Sequence, residues 1–216
     1  LRRCPIGIAR ILEEKKLRLD VNALFKKALE LYGERQWKLE PSKALAALGE
    51  FFSLRLKNHF IAQGAETLLV EAILAAGYSD VWSAAARLEA LKRLSARADF
   101  GEAMLTFKRA ANIIRKQGQE MSLDGNYKAD LLEEQAEQEL AASLEKLAPS
   151  FEKHWEEDAY DALFDLLYEL KPAVDNFFNG VMVMAEDKKL RHNRLNILQA
   201  LVNQLRRLAD FDALQM

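Results

Sequence analysis

The chain has 216 residues, 50% of them hydrophobic and 30% charged, with a formal net charge of −2. That composition excludes a disordered or fibrous chain and is long enough for one large domain or two small ones. With 9 Gly, 4 Pro, one cysteine (Cys4) and three scattered histidines, it also excludes a turn-rich β-sandwich or barrel, a disulfide framework, and zinc ribbons or fingers.

Apolar residues recur at helical spacing along almost the whole chain. Ile8, Ile11 and Leu12 begin a helix that ends near Lys16. Asp20 suits the N-cap of a second, which carries Leu24, Ala28, Leu31 and Tyr32. Pro41 fits the first turn of a third, with Leu45, Leu48, Phe52, Leu56 and Phe60 on one face, broken at Gly64. A short helix follows through Leu69 and Ile73 to Gly77. Asp80 then caps a helix bearing Trp82, Ala85, Leu88, Leu91 and Leu94. Asp99 reads as the cap of a helix running to Lys116, and Gly118 to Asn126 is a loop. A helix from about Ala129 to Leu147 has an acidic outer face and is interrupted at Pro149. Asp158 reads as the cap of the next, through Leu163, Leu166, Leu167 and Leu170. Pro172 starts another, through Phe177 and Phe178, which Gly180 ends. Val181-Met182-Val183-Met184 is strand-like but has no partner run. The last helix spans about Lys188 to Ala209. The expected fold class is all-α, with about ten helices and a boundary between Ser95 and Asp99.

Charge is unevenly spread. Residues 1–116 hold 21 Lys+Arg against 13 Asp+Glu, residues 117–175 hold 4 against 16, and residues 176–216 hold 6 against 4. A polyanion is drawn to the first and third blocks and repelled by the second; an ordinary solvated surface is the bland alternative. The longest run without Asp, Glu, Lys or Arg is Leu195–Leu205, 11 residues, against the about 20 apolar residues of a membrane span. The start, Leu1-Arg2-Arg3-Cys4-Pro5, has neither an initiator Met nor a signal-peptide core and points to a segment of a longer chain.

Catalytic patterns are missing. There is no GxGxxG or GxxxxGK[ST] phosphate loop. The acids Glu156-Glu157-Asp158 fall where helix starts favour acids anyway. His59, His154 and His192 lie in separate segments; His59, beside Phe60, reads as a surface or half-buried residue. Cys4 has no identifiable base and reads as an ordinary thiol.

Two segments stand out. In 104–116, Met104, Phe107, Ala111 and Ile114 share the core face of a helix, and Lys108, Arg109, Asn112, Arg115 and Lys116 spread over an adjacent side. Four cations and an amide on one side can contact phosphates and read base edges, or can complement the helix dipole at a C-terminal turn. In the last helix, Leu190, Ile197, Leu198, Leu201, Leu205 and Leu208 form the apolar face. Arg191 and Arg194 fall inside that arc, and Asn193, Asn196 and Asn203 outside it. A buried arginine needs a partner; Asp175, Glu186 and Asp187 are nearest in sequence. A phosphate or base contact is the alternative for Arg194.

Leu1-Arg2-Arg3, Gly7 and Arg10-Ile11-Leu12 resemble a segment of the β subunit of the two-subunit bacterial glycyl-tRNA synthetase. Phe107-Lys108-Arg109-Ala110-Ala111-Asn112-Ile113 resembles the opening of that subunit's anticodon-binding domain. Lys171 to Phe178, Val181 to Met184 and Arg191-His192-Asn193-Arg194-Leu195 resemble its close. Asp212-Ala213-Leu214-Gln215 reads like the DALR motif but does not align with it.

The resemblance implies a helical region, residues 1–97, followed by a DALR-type anticodon-binding bundle, residues 98–216. It implies glycine tRNA as partner, held by Lys108, Arg109, Asn112, Arg115, Lys116, Arg191, Asn193 and Arg194, with Phe107 or Tyr127 as possible stacking platforms. The two cytosines shared by glycine anticodons offer an N4 donor and O2/N3 acceptors on their pairing edges. It further implies contact with the rest of β and with the α subunit, a cytoplasmic location, and neither DNA nor membrane as partner. No cofactor is expected in this segment; ATP and Mg²⁺ belong to the α subunit, where the catalytic centre lies. A helical interaction or scaffold domain without an RNA role is the competing expectation, and an independent helical enzyme the third.

Overall fold

A computed structural model describes residues 3–33, 38–118 and 121–214. Leu1, Arg2, Gln119, Glu120 and Gln215, which belong to segments singled out above, lie outside them. Among the described residues there are ten α-helices, two 3₁₀ turns and no strand. The helices are α1 (Cys4–Glu14), α2 (Val21–Leu31), α3 (Pro41–Ala62), α4 (Thr67–Ala76), α5 (Val81–Ser95), α6 (Phe100–Gln117), α7 (Gln135–Glu156), α8 (Tyr160–Glu169), α9 (Lys171–Gly180) and α10 (Lys188–Leu208). The all-α expectation holds.

Local chemistry explains most boundaries. The Asp20 carboxylate accepts from the backbone N–H groups of Asn22 and Ala23, and Asp80 from Ser83, so both act as N-caps. Asp187 does the same for α10 through Lys189 and Leu190. Pro41 and Pro172 sit in first turns, where their missing N–H is not needed.

Four readings are corrected. Asp99 precedes α6 but makes no side-chain cap bond; its carboxylate pairs with Arg97 instead. Asp158 is not the cap of α8, which starts after Ala159; Asp158 takes a left-handed backbone (φ 55°) and binds Arg18 and Tyr160. Residues 129–131 form a separate 3₁₀ turn, and α7 begins only at Gln135. Pro149 does not interrupt α7, which continues to Glu156. A mid-helix proline costs on the order of 3 kcal/mol. Leu144, Leu147 and Phe151 are buried on the turns around it, each contributing about 1.5–3 kcal/mol, which outweighs that cost.

α10 lies at the centre, packed on α4, α6, α7 and α8. Residues 193–199, 201 and 202 are all buried, so Asn193 and Asn196 are enclosed as well as the apolar arc. α5 lies along α8, tied by a two-pronged Arg93–Asp161 pair (2.6 and 2.7 Å) and a Ser83–Tyr160 bond (2.8 Å). Arg18 joins Asp80 to Asp158. Arg87 is 4% exposed and donates to the carbonyls of Gly77 and Leu208, where α4 and α10 end. Burial pulls its guanidinium down to about 10. His59 is buried, not superficial, and hydrogen-bonds Glu13 at 2.8 Å, tethering α1 to α3.

The apolar stripe expected on α2 is not its packed face. Leu24, Ala28, Leu31 and Tyr32 are exposed, and α2 meets α3 through Phe25, edge-on to Phe52. Val181 and Val183 point inward and Met182 and Met184 outward, a strand-like alternation in an irregular segment that covers α10.

Candidate nucleic-acid interface

The cationic side of α6 is partly engaged within the fold. Lys108 donates to the Leu214 carbonyl and so holds the returning C-terminal segment. Arg109 is exposed, its guanidinium 4.2 Å from the centre of the Phe178 ring. Arg115 reaches the Asn112 side-chain oxygen (2.6 Å) and lies 3.7 Å from Asp212. That leaves the Asn112 amide N–H₂ without a partner among the described residues. Lys116 is exposed and has no ion pair among them. Phe107 is core, packed near Phe211. Tyr127 is half-buried and donates to the Ala141 carbonyl; burial, then Glu145, pushes its hydroxyl up to about 12. Neither aromatic is free to stack a base.

The loop after α6 is strung along α10 by three asparagines. Asn203 donates to the Asp124 carbonyl, Asn196 accepts from Asp124 and Gly125, and Asn193 exchanges two bonds with the Lys128 backbone (2.7 and 3.1 Å). Gly125 has φ 89° and lies against the helix; a Cβ there would sit 3.0 Å from Asn203 Nδ2 and 3.3 Å from Ala200 Cα. Only glycine fits both demands without strain. From Asn203 to Asn193 is ten residues of α10, or about 15 Å. The loop thus links the cationic end of α6 to the start of α10.

The α10 arginines divide. Arg194 is 5% exposed. Its Nε pairs with the fully buried Glu137 and its Nη1 donates to the Met182 carbonyl at 3.0 Å. The buried-pair expectation is right, but the partner is Glu137 of α7, not Asp175, Glu186 or Asp187. Glu137's second oxygen accepts from the backbone N–H groups of Glu133 and Glu134, closing a capping box at the start of α7. Glu137 is therefore not part of the acidic outer face. Arg191 is half-buried, with a buried Nε that has no partner among the described residues. Arg194 is committed inside the protein, and both polar atoms of the Asn193 side chain are taken by the Lys128 backbone, so neither side chain can hydrogen-bond an RNA without giving up those contacts.

Sequence reasoning missed a groove of about 630 Å³ between the loop and the start of α10, lined by Met121, Ser122, Asp124, Asn126, Lys128, Leu131, Lys188, Lys189, His192 and Asn193. Three lysines around two apolar side chains make a surface for a phosphate-bearing planar ligand. The visible signal was Lys188-Lys189 followed by His192 one turn later. Among the described residues no group of three or more His, Cys, Asp or Glu side chains is placed to hold a metal ion. No described helix is long and apolar enough to cross a membrane.

The helical bundle from α6 onward, with its enclosed central helix and cationic loop edge, falls largely within residues 103–211, which match the DALR anticodon binding domain. The chain belongs to that family. Residues 1–75 match the glycyl-tRNA synthetase beta subunit family. The chain is 64% identical over its whole length to the glycine–tRNA ligase beta subunit of Oleidesulfovibrio alaskensis. It is 65% identical to that of Nitratidesulfovibrio vulgaris strain Hildenborough and 50% identical to that of Solidesulfovibrio magneticus, again over 100% of the chain. It spans 31% of the length of each of these relatives.

Proposed function

We propose that this chain is the tRNA-holding part of the β subunit of a two-subunit glycine–tRNA ligase and binds the anticodon arm of glycine tRNA. The observation that carries this reading is that the DALR match, residues 103–211, contains both cationic ends of the loop. Residues 98–216 act as the anticodon-binding unit and residues 1–97 as the helical region that carries it. Arg109, Arg115, Lys116 and Arg191 meet backbone phosphates, and the free amide of Asn112 meets a base edge. Lys108, Asn193 and Arg194 serve the site indirectly, by holding the segments that frame it.

ATP, Mg²⁺ and glycyl transfer belong to the α subunit, and the whole works in the cytoplasm on RNA rather than DNA. Contact with the rest of β is supported by exposed apolar residues gathered in the first helices, among them Ile8, Ile11, Leu24, Leu31, Leu48 and Leu54.

Alanine variants test the assignments. Lys116→Ala should weaken all tRNAs alike and flatten the salt slope by up to about one unit. Asn112→Ala should narrow the preference for glycine tRNA over an anticodon-swapped tRNA and leave the salt slope unchanged. A lower melting temperature with an unchanged preference would make Asn112 a packing residue only.

A further inference from the structure

We infer that the groove between the 121–131 loop and the start of α10 seats one cytidine of the anticodon loop, and that Asn126 reads it; this rests on the tRNA-binding reading above. Its volume, about 630 Å³, falls within the range of small-ligand sites. Met121 and Leu131 give it apolar wall on which a base can lie, and Lys128, Lys188 and Lys189 stand around it for the flanking phosphates.

The groove is not a helix-terminus anion site. Asp187 already accepts from the backbone N–H groups of Lys189 and Leu190 (2.7 and 2.9 Å), so these two first-turn amides are taken by the protein's own carboxylate. Attraction for phosphate therefore comes from the lysine side chains, and recognition has to come from another group.

Asn126 supplies it. Its backbone N–H and its side-chain Nδ2 both donate to the Asp124 carboxylate, each at 2.8 Å. Those two bonds hold the Asp124 carboxyl below its ordinary range. A carboxylate only accepts, so the amide must turn its nitrogen to Asp124, which fixes the orientation of the group. Its Oδ1 then has no donor among the described residues, and on an exposed residue that lines the groove it is the acceptor left open to a ligand. Asp124 is itself pinned, because its backbone N–H and carbonyl are bound to Asn196 and Asn203 of α10.

A fixed acceptor selects a base that offers a donor. Cytosine presents its N4 amine on the pairing edge. Uracil presents a carbonyl at the same place, and two facing acceptors leave both without a proton. Glycine anticodons share two cytosines, and one groove reads one of them.

The test uses the 216-residue chain and RNA stem-loops carrying a glycine anticodon, with binding followed by fluorescence anisotropy. At each shared cytosine in turn, the base is replaced by uracil or by 2-pyrimidinone, which lacks the amine. The wild-type chain should prefer cytosine at one of the two positions by about 5- to 150-fold, the range of one good base-edge contact. Asn126→Ala should abolish that preference there and leave the other position untouched. Lys188→Ala with Lys189→Ala should weaken every stem-loop equally and flatten the salt slope. If Asn126→Ala lowers the melting temperature, Asn126→Gln keeps the amide, moves it by one methylene, and should lose the same preference. Full discrimination at both positions in the Asn126 variants overturns the assignment of the groove while leaving the tRNA reading standing. Equal binding of all stem-loops by the wild-type chain also overturns the assignment of the groove, and no salt-dependent binding of any stem-loop overturns the tRNA reading as well.

Discussion

Replacing Glu137 by glutamine puts the buried Arg194 to the test. Glu137 is fully buried and Arg194 is 5% exposed. The carboxylate serves Arg194 with one oxygen and the Glu133 and Glu134 amides with the other. Glutamine keeps the size and one acceptor, but removes the charge that compensates the guanidinium and turns an N–H₂ toward one set of donors. Breaking a buried pair from one side costs about 3–5 kcal/mol, because the surviving charge stays in the interior. With an unfolding entropy of about 2.1 cal/mol/K per residue over 216 residues, that is a fall in melting temperature of about 7–11 °C. Scanning calorimetry or thermal circular dichroism reads it directly. Glu139→Gln is the control: it lies two positions on in the same helix, is exposed, and should shift stability by less than about 0.5 kcal/mol. Adding Arg194→Met to Glu137→Gln removes the orphaned charge and should recover part of the loss. A Glu137→Gln shift as small as the Glu139 control would refute the reasoning.

Gly125→Ala forces a side chain into Ala200 and Asn203 at a backbone angle that alanine resists; it should cost about 1–3 kcal/mol and weaken stem-loop binding, and a variant that melts and binds like wild type contradicts the pinned loop. Asp175 gives a pH dependence. Burial pushes its carboxyl up, but hydrogen bonds from Lys171 (2.6 Å) and Thr106 (2.6 Å) outweigh that and hold it below its ordinary range. A depressed folded-state value stabilises the protein above the ordinary carboxylate range, and that contribution is lost as pH falls through the folded-state value. Urea midpoints at neutral pH and near pH 3 should therefore drop further for wild type than for Asp175→Asn, and equal drops would remove Asp175 from the α6–α9 seam.

The punctuation of the fold was readable because it is local chemistry. Asp20 and Asp80 set helix starts through bonds to their own neighbours, and Pro41 and Pro172 through a fixed φ and a missing N–H, so no distant residue has to be known. Pro149 misled for the opposite reason: its cost is local, but the burial of Leu147 and Phe151 that offsets it depends on helices far away in sequence. Glu137 was hidden among Glu133, Glu134 and Glu139; nothing in an acidic run marks the one that meets Arg194 across 57 residues. Asn193 and Asn196 fall outside the apolar arc of α10 and are buried all the same, because periodicity separates polar from apolar, not exposed from buried. Their partners are backbone groups of an irregular loop, which leave no pattern. The cations of α6 were visible as a stripe, but the carbonyl that takes Lys108 and the ring under Arg109 come from the ends of other elements.

The most direct test of the central claim is the affinity of this chain for glycine tRNA against the same tRNA with its anticodon exchanged, measured across a series of salt concentrations. Binding should weaken steadily with salt for both RNAs, and the glycine anticodon should hold its advantage at every concentration, since phosphates set the slope and bases set the gap. Parallel salt curves with no gap between the two tRNAs, or no salt-dependent binding at all, would contradict it.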